Sequence, residues 1–168
     1  MWNAFCLPTR IGPSHDPGAV ILADEAATAR LGAAIARALK AGEAVCLSGP
    51  LGAGKSTLAR ALIRELTGPE EDVPSPTFTL VQFYEGRGLK IAHFDLYRLT
   101  DPDEAYEIGL DEALEDGAAV IEWPERLGER LDGRLPPDRL DVEISLEGSG
   151  RRARLTSYGA WEGRPVEP

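Results

Sequence analysis

The sequence predicts one layered α/β domain with a mostly parallel central sheet, an antiparallel part and helices on both faces. Three observations predict it. Ala44-Val45-Cys46-Leu47-Ser48 is a continuous apolar run of the kind buried in a parallel sheet, and a Gly-rich turn and an amphipathic helix follow it directly. Leu140, Val142, Ile144 and Leu146 alternate with Asp141, Glu143, Ser145 and Glu147, the period of a half-buried strand. The chain has 168 residues, 43% of them hydrophobic, which suits a single packed domain and excludes a disordered chain.

Residues 1–17 carry Pro8, Pro13 and Pro17 with little periodicity and read as a loose N-terminal arm. The domain is expected over 18–160. Ala19 to Leu22 is a short strand. Asp24 caps a helix from about 25 to 40, whose apolar face is Leu31, Ile35, Ala38 and Leu39, with Gly42 past its end. After the strand at 44–48 comes a helix from about 55 to 66, with Leu58, Leu62, Ile63 and Leu66 on one face and Gly68 as its stop. Residues 69–76 form a proline-bearing loop. Thr77 to Tyr84, rich in β-branched and aromatic residues, reads as a strand. A tight turn at 85–88 returns it along Leu89 to Phe94. Short helices are expected around 102–116. Ala118 to Ile121 is a buried strand ended by Glu122 and stopped by Pro124. The alternating strand at 140–146 turns at Gly148-Ser149-Gly150 and returns along Arg151 to Tyr158. Residues 161–168 read as a flexible tail.

Charge narrows the function classes. The net charge is −10, a poor match to a nucleic-acid clamp, which needs a basic stripe against phosphates. Residues 101–132 hold 12 acidic and 2 basic side chains and so carry the whole imbalance. Such a segment is either a solvated face or a surface for a basic partner. Two cysteines make no disulfide framework, and Cys46 reads as a small buried hydrophobe. No apolar stretch approaches the roughly 18 residues of a membrane span. The N-terminus lacks the pattern of a signal peptide, so a cytoplasmic location is expected.

Gly49-Pro50-Leu51-Gly52-Ala53-Gly54-Lys55-Ser56 carries the chemistry. It is the phosphate-binding loop pattern, between a buried strand and a helix. Glycines let the backbone curl until the N–H groups of Gly52, Ala53 and Gly54 point at phosphates. The helix N-terminus adds its positive dipole end. Lys55 bridges phosphates as a point charge, the Ser56 hydroxyl can ligate Mg²⁺, and Thr57 can donate to the α-phosphate. The metal needs a carboxylate at the end of a neighbouring strand. Asp95 and Glu122 both fit, and the residues alone do not divide the roles. Pro74-Ser75-Pro76-Thr77 can bring Thr77 to the γ-phosphate side of the metal, or can be an ordinary proline-stiffened loop. His93 reads as a packing or edge histidine, Trp123 as a structural or partner contact. Arg151, Arg152 and Arg154 read as a solvated edge or a phosphate contact.

These motifs resemble the TsaE (YjeE) family of bacterial ATPases, which act in threonylcarbamoyl-adenosine modification of tRNA. The resemblance rests on Gly49 to Thr57, Pro74-Ser75-Pro76-Thr77-Phe78-Thr79-Leu80-Val81, His93-Phe94-Asp95-Leu96-Tyr97-Arg98-Leu99, Gly109-Leu110-Asp111-Glu112 and Ile121-Glu122-Trp123-Pro124-Glu125. It covers about residues 22–158. It implies a P-loop NTPase fold and Mg-ATP hydrolysis, with ATP and Mg²⁺ as cofactors, and partnership with the TsaD and TsaB proteins, tRNA being reached through that complex. It implies that Lys55, Asp95 and Glu122 are catalytic. Ser56 and Glu122 are then magnesium ligands, with Asp95 positioning metal or water. Thr28, from Ala27-Thr28-Ala29-Arg30-Leu31-Gly32, and Arg151 are expected beside the nucleotide. Pro50 stands where members carry Asp. Ser56 stands where Thr is common and keeps the hydroxyl.

Two other functions fit a phosphate loop. A small-molecule kinase needs an arginine-dense lid, and residues 100–125 contain no arginine. A non-catalytic nucleotide-binding regulator has no use for Asp95 and Glu122.

Overall fold

The computed structural model describes residues 18–127 and 135–168. The expected arm at 1–17 lies outside the described residues, as does the end of the acidic segment. In chain order the elements are β1 (Ala19–Leu22), α1 (Glu25–Ala38), β2 (Ala44–Ser48), α2 (Lys55–Thr67), β3 (Val81–Glu85), β4 (Lys90–Asp95), α3 (Glu104–Glu107), α4 (Leu110–Asp116), β5 (Gly117–Glu122), β6 (Arg139–Glu147) and β7 (Gly150–Tyr158). The strands form one seven-stranded sheet in the order β1-β7-β6-β2-β5-β4-β3. Its central strands, β4, β5, β2 and β6, run parallel. The β3–β4 hairpin closes one side antiparallel, and β7 and β1 close the other.

Strand parity sorts the core into two layers, because successive side chains point to opposite faces. Val45, Leu47, Ile91, Val120, Leu140, Val142 and Ile144 pack with α1 and α2. Ala44, Cys46, Ala92, Phe94, Ala119 and Ile121 pack on the face of α3 and α4. Asp95 and Glu122 carry the parity of Ile91 and Val120. The same alternation that builds the first layer therefore aims both carboxylates at the α2 side.

Local chemistry starts and stops the two long helices. The Asp24 carboxylate accepts from the Ala27 N–H at 2.8 Å and caps α1. Gly32 lets α1 lie close on α2, since a Cβ there would stand 2.7 Å from the Leu58 carbonyl oxygen. The N-cap of α2 is Gly54, at φ 105, and no side chain caps its first N–H groups. That end is open to an anion.

Two expectations shift. The strand expected over Thr77 to Tyr84 starts only at Val81, because the Leu80 N–H donates to the Pro76 carbonyl at 2.8 Å and closes a turn. Leu80 takes φ 65 to complete it. At the other end, where residues 161–168 read as a tail, Trp161 is fully buried. Arg164 then pairs bidentately with the buried Glu43, at 2.7 Å on both oxygens. Among the described residues no helix is long and apolar enough to cross a membrane.

Candidate functional site

The site lies at the C-terminal ends of the parallel strands, where open α/β sheets take ligands. Gly49, Gly52 and Gly54 all have positive φ, which lets the chain wrap around the α2 N-terminus. A Cβ at Gly49 would strike the Ile144 carbonyl oxygen of β6. At Gly52 and Gly54 the space is open, the nearest atom being Thr28 Cγ2 at 3.9 Å from a Cβ on Gly54. Glycine is thus needed at Gly49 for packing and at the other two for backbone shape. The buried Lys55 ammonium donates to the Gly49 and Pro50 carbonyls, at 2.5 and 2.8 Å. Its Nζ also stands 4.1 Å over the Trp123 ring. Burial pulls the Lys55 pKa below its ordinary value, and the charges of Glu122, Glu125 and Asp95 partly restore it.

Asp95 and Glu122 sit directly opposite each other in the β4–β5 register, and β5 is the immediate neighbour of β2. Their hydrogen bonds separate them. The Ser56 hydroxyl donates to Glu122 Oε1 at 2.8 Å. Asp95 Oδ2 accepts from the Ser75 hydroxyl at 2.6 Å and, at 3.5 Å, from Thr77. Its Oδ1 accepts from the Tyr97 N–H at 3.1 Å. Glu122 is joined to the phosphate-loop helix, while Asp95 holds the Ser75–Thr77 segment.

The sequence understated two residues. His93 is in the core, as read, but its Nε2 also lies 2.7 Å from Glu122 Oε2. A carboxylate oxygen only accepts, so this bond places the proton on Nε2. Nδ1 is buried without a partner among the described residues. The signal available was parity, since His93 and Asp95 are two apart on one strand. Trp123 takes φ 60, an uncommon backbone state for a bulky residue, and packs on Tyr97 with ring centroids 4.8 Å apart.

Two clefts flank the loop and share Gly52, Gly54 and Thr57. The smaller, about 230 Å³, adds Leu22, Ala23, Asp24, Glu25, Thr28, Ala53, Ser149, Gly150 and Arg151. Arg151 reaches the loop by donating to the Gly52 carbonyl at 3.2 Å. Arg152 instead pairs with Glu147 at 2.6 Å, away from the loop. The larger, about 460 Å³, adds Leu51, Lys55, Ser56, Ser75, Thr77, Asp95, Tyr97, Arg98, Glu122 and Trp123. Of the residues singled out as site candidates, Thr28, Gly52, Ala53, Gly54, Lys55, Ser56, Thr57, Thr77, Asp95, Glu122 and Arg151 fall in one cleft or both, while Arg152 and Arg154 fall in neither. Ser149, Gly150, Ser75 and Arg98 join them unannounced, brought in by the β6–β7 turn and the loops beside β4. Among the described residues no three His, Cys, Asp or Glu side chains converge as a metal cage. One hydroxyl and one or two carboxylates are a hard-oxygen set that fits magnesium shared with phosphates.

The family profile described as "Threonylcarbamoyl adenosine biosynthesis protein TsaE" matches residues 22–154. The tRNA threonylcarbamoyladenosine biosynthesis protein TsaE of Aquifex aeolicus is 44% identical over 138 residues, 81% of this chain and 93% of that protein. Its counterpart in Rickettsia felis is 38% identical over 138 residues, 82% of this chain and 77% of that protein. The crystal structure of Bacillus subtilis YdiB is similar with a TM-score of 0.67 at 27% identity, over 84% of this chain and 85% of that one.

Proposed function

The chain belongs to the TsaE family of tRNA threonylcarbamoyladenosine biosynthesis, and from that premise we propose that it is a Mg-ATP-hydrolysing P-loop protein of the cytosol. It acts with the TsaD–TsaB pair in forming the threonylcarbamoyl group on adenosine 37 of tRNA. The observation that carries the ATPase reading is the Ser56–Glu122 hydrogen bond at the uncapped N-terminus of α2. It joins a metal-ligating hydroxyl, a carboxylate and a set of phosphate-directed N–H groups in one corner.

Bound magnesium would supply the divalent charge that offsets the phosphate oxygens. Ser56 and Glu122 would hold it. Lys55 would exchange its two loop carbonyls for phosphate oxygens, a charge-assisted contact in place of neutral ones. Asp95, steadied by Ser75 and the Tyr97 N–H, would orient water or a metal-bound water, with Thr77 beside it. Thr28 and Arg151 would line the nucleoside side. The acidic 101–116 segment suits protein partners better than RNA.

ATP hydrolysis by the purified chain, alone and with TsaD–TsaB, tests this. The expected result is slow turnover alone, stimulation by the pair, and loss of both in Lys55→Ala. Glu122→Ala is expected to lose magnesium-dependent turnover. Wild-type turnover in Glu122→Ala would overturn the ligand assignment. Phosphate appearing on a metabolite instead of in solution would make the chain a kinase, and binding with no phosphate release under any partner condition would make it a regulator.

A further inference from the structure

We infer that Arg98 distinguishes a nucleoside triphosphate from a diphosphate in this site, with the Phe78 ring as the platform that holds its guanidinium beside the cleft. The inference rests on the nucleotide reading above and deepens it.

Arg98 lines the larger cleft, the one that also contains Ser56, Asp95 and Glu122, and not the cleft of Thr28 and Arg151. It therefore stands at the metal end of the loop, away from the nucleoside end. A ligand running from one cleft to the other along the loop would bring its outermost phosphate to Arg98. A diphosphate would stop short of it.

The guanidinium is available for that contact. Among the described residues no hydrogen bond or ion pair engages it, and it lies over the Phe78 ring, 4.4 Å from the centroid. The two carboxylates of the cleft have other donors. Glu122 accepts from Ser56 and His93, and Asp95 accepts from Ser75 and the Tyr97 N–H. A fork of donors on a residue that lines the cleft, without a carboxylate to neutralise it, is suited to an anion.

The mounting is rigid where the head is free. Arg98 is exposed, but Leu96 and Leu99 on either side are buried, and the Leu99 N–H donates to the Leu96 carbonyl at 3.0 Å. Phe78 is 82% exposed, so it contributes little to the core. It follows Thr77, whose hydroxyl is in the cleft, and sits in the turn that Leu80 strains to close. A large aromatic ring kept in solvent at that spot has the Arg98 guanidinium as its visible contact.

The test is calorimetric binding of ADP and of the non-hydrolysable β,γ-imido analogue of ATP, both with Mg²⁺, to the full chain. Arg98→Ala is expected to weaken the triphosphate analogue about tenfold or more, the scale of one charge-assisted hydrogen bond. ADP affinity is expected to stay within about twofold, since its phosphates stop short of the guanidinium. Arg98→Lys restores part of the loss, as a point charge without the planar fork. Phe78→Leu keeps apolar bulk, removes the ring face, and is expected to cost the triphosphate about two- to fivefold. Both side chains are exposed, so thermal stability is expected to be unchanged. Equal weakening of both nucleotides, or of neither, in Arg98→Ala overturns the assignment while leaving the nucleotide reading intact. A wild-type chain that binds neither nucleotide overturns the nucleotide reading, and this assignment with it.

Discussion

His93 illustrates how a residue can belong to the core and to the site at once. It is fully buried, and it fixes one oxygen of Glu122 while Ser56 takes the other. Replacing it with alanine leaves that oxygen buried and unpaired, at a cost of about 1–3 kcal/mol. The carboxylate is then free to rotate. His93→Ala is therefore expected to shift the Mg²⁺ concentration needed for nucleotide binding upward, and His93→Gln to recover part of the shift, as read by titrating Mg²⁺ at fixed nucleotide. Cys46 makes the opposite case, a reactive group made inert by packing. Burial, and then the negative charge of Asp141, push its thiol far above the ordinary range. The folded chain thus keeps a proton that the unfolded chain releases above about pH 8.5. This contribution to stability is complete below that pH and is lost above it, by up to about 1.4 kcal/mol per pH unit. Urea midpoints from pH 7 to 9.5 are expected to fall more steeply for the wild type than for Cys46→Ala.

At the scale of elements, the loop and the segment before β3 carry the strain. Gly49→Ala drives a Cβ into the Ile144 carbonyl and demands a left-handed φ of 141 from alanine. Either the loop or β6 must move. Nucleotide binding is expected to be lost, and thermal stability to drop, which a melting curve with and without nucleotide reads directly. Gly52→Ala meets no atom within 4 Å, so its effect is confined to backbone strain at φ 77, of about 1 kcal/mol. The contrast between the two variants separates packing from conformation. In the 76–80 turn, Leu80 gives up extended backbone so that Thr77 points at Asp95 instead of pairing in the sheet. Composition reads Thr77 to Leu80 as strand because β-branched and aromatic residues fill three of its four positions. The turn is selected by a distant carboxylate that no local window contains.

At the scale of the whole molecule, the C-terminal residues act as a clasp. Trp161 fills the α1/α2 layer, and Arg164 reaches Glu43 and the Ala38 carbonyl at the end of α1. Its guanidinium also lies 4.6 Å from the Trp161 ring. Trp161→Ala is expected to cost about 3–5 kcal/mol of folding stability, the range for removing a buried aromatic. Chemical denaturation of the variant checks it. A loss below 1 kcal/mol would mean that the tail does not belong to the domain's core.

The sequence by itself determined the strand-loop-helix unit around Lys55, the caps at Asp24 and Gly68, the β6–β7 hairpin and the identity of the two candidate acids. Each of these depends on neighbours a few residues away, through periodicity, glycine conformation or side-chain capping, and so is written locally. Only the tertiary structure decided that Glu122 is joined to Ser56 and His93 while Asp95 holds Ser75 and Thr77. It alone also brought Arg98 and Trp123 to the loop, and Trp161 into the core. Those contacts join residues far apart in the chain, and their partners are set by strand order and register, which depend on how the whole sheet assembles.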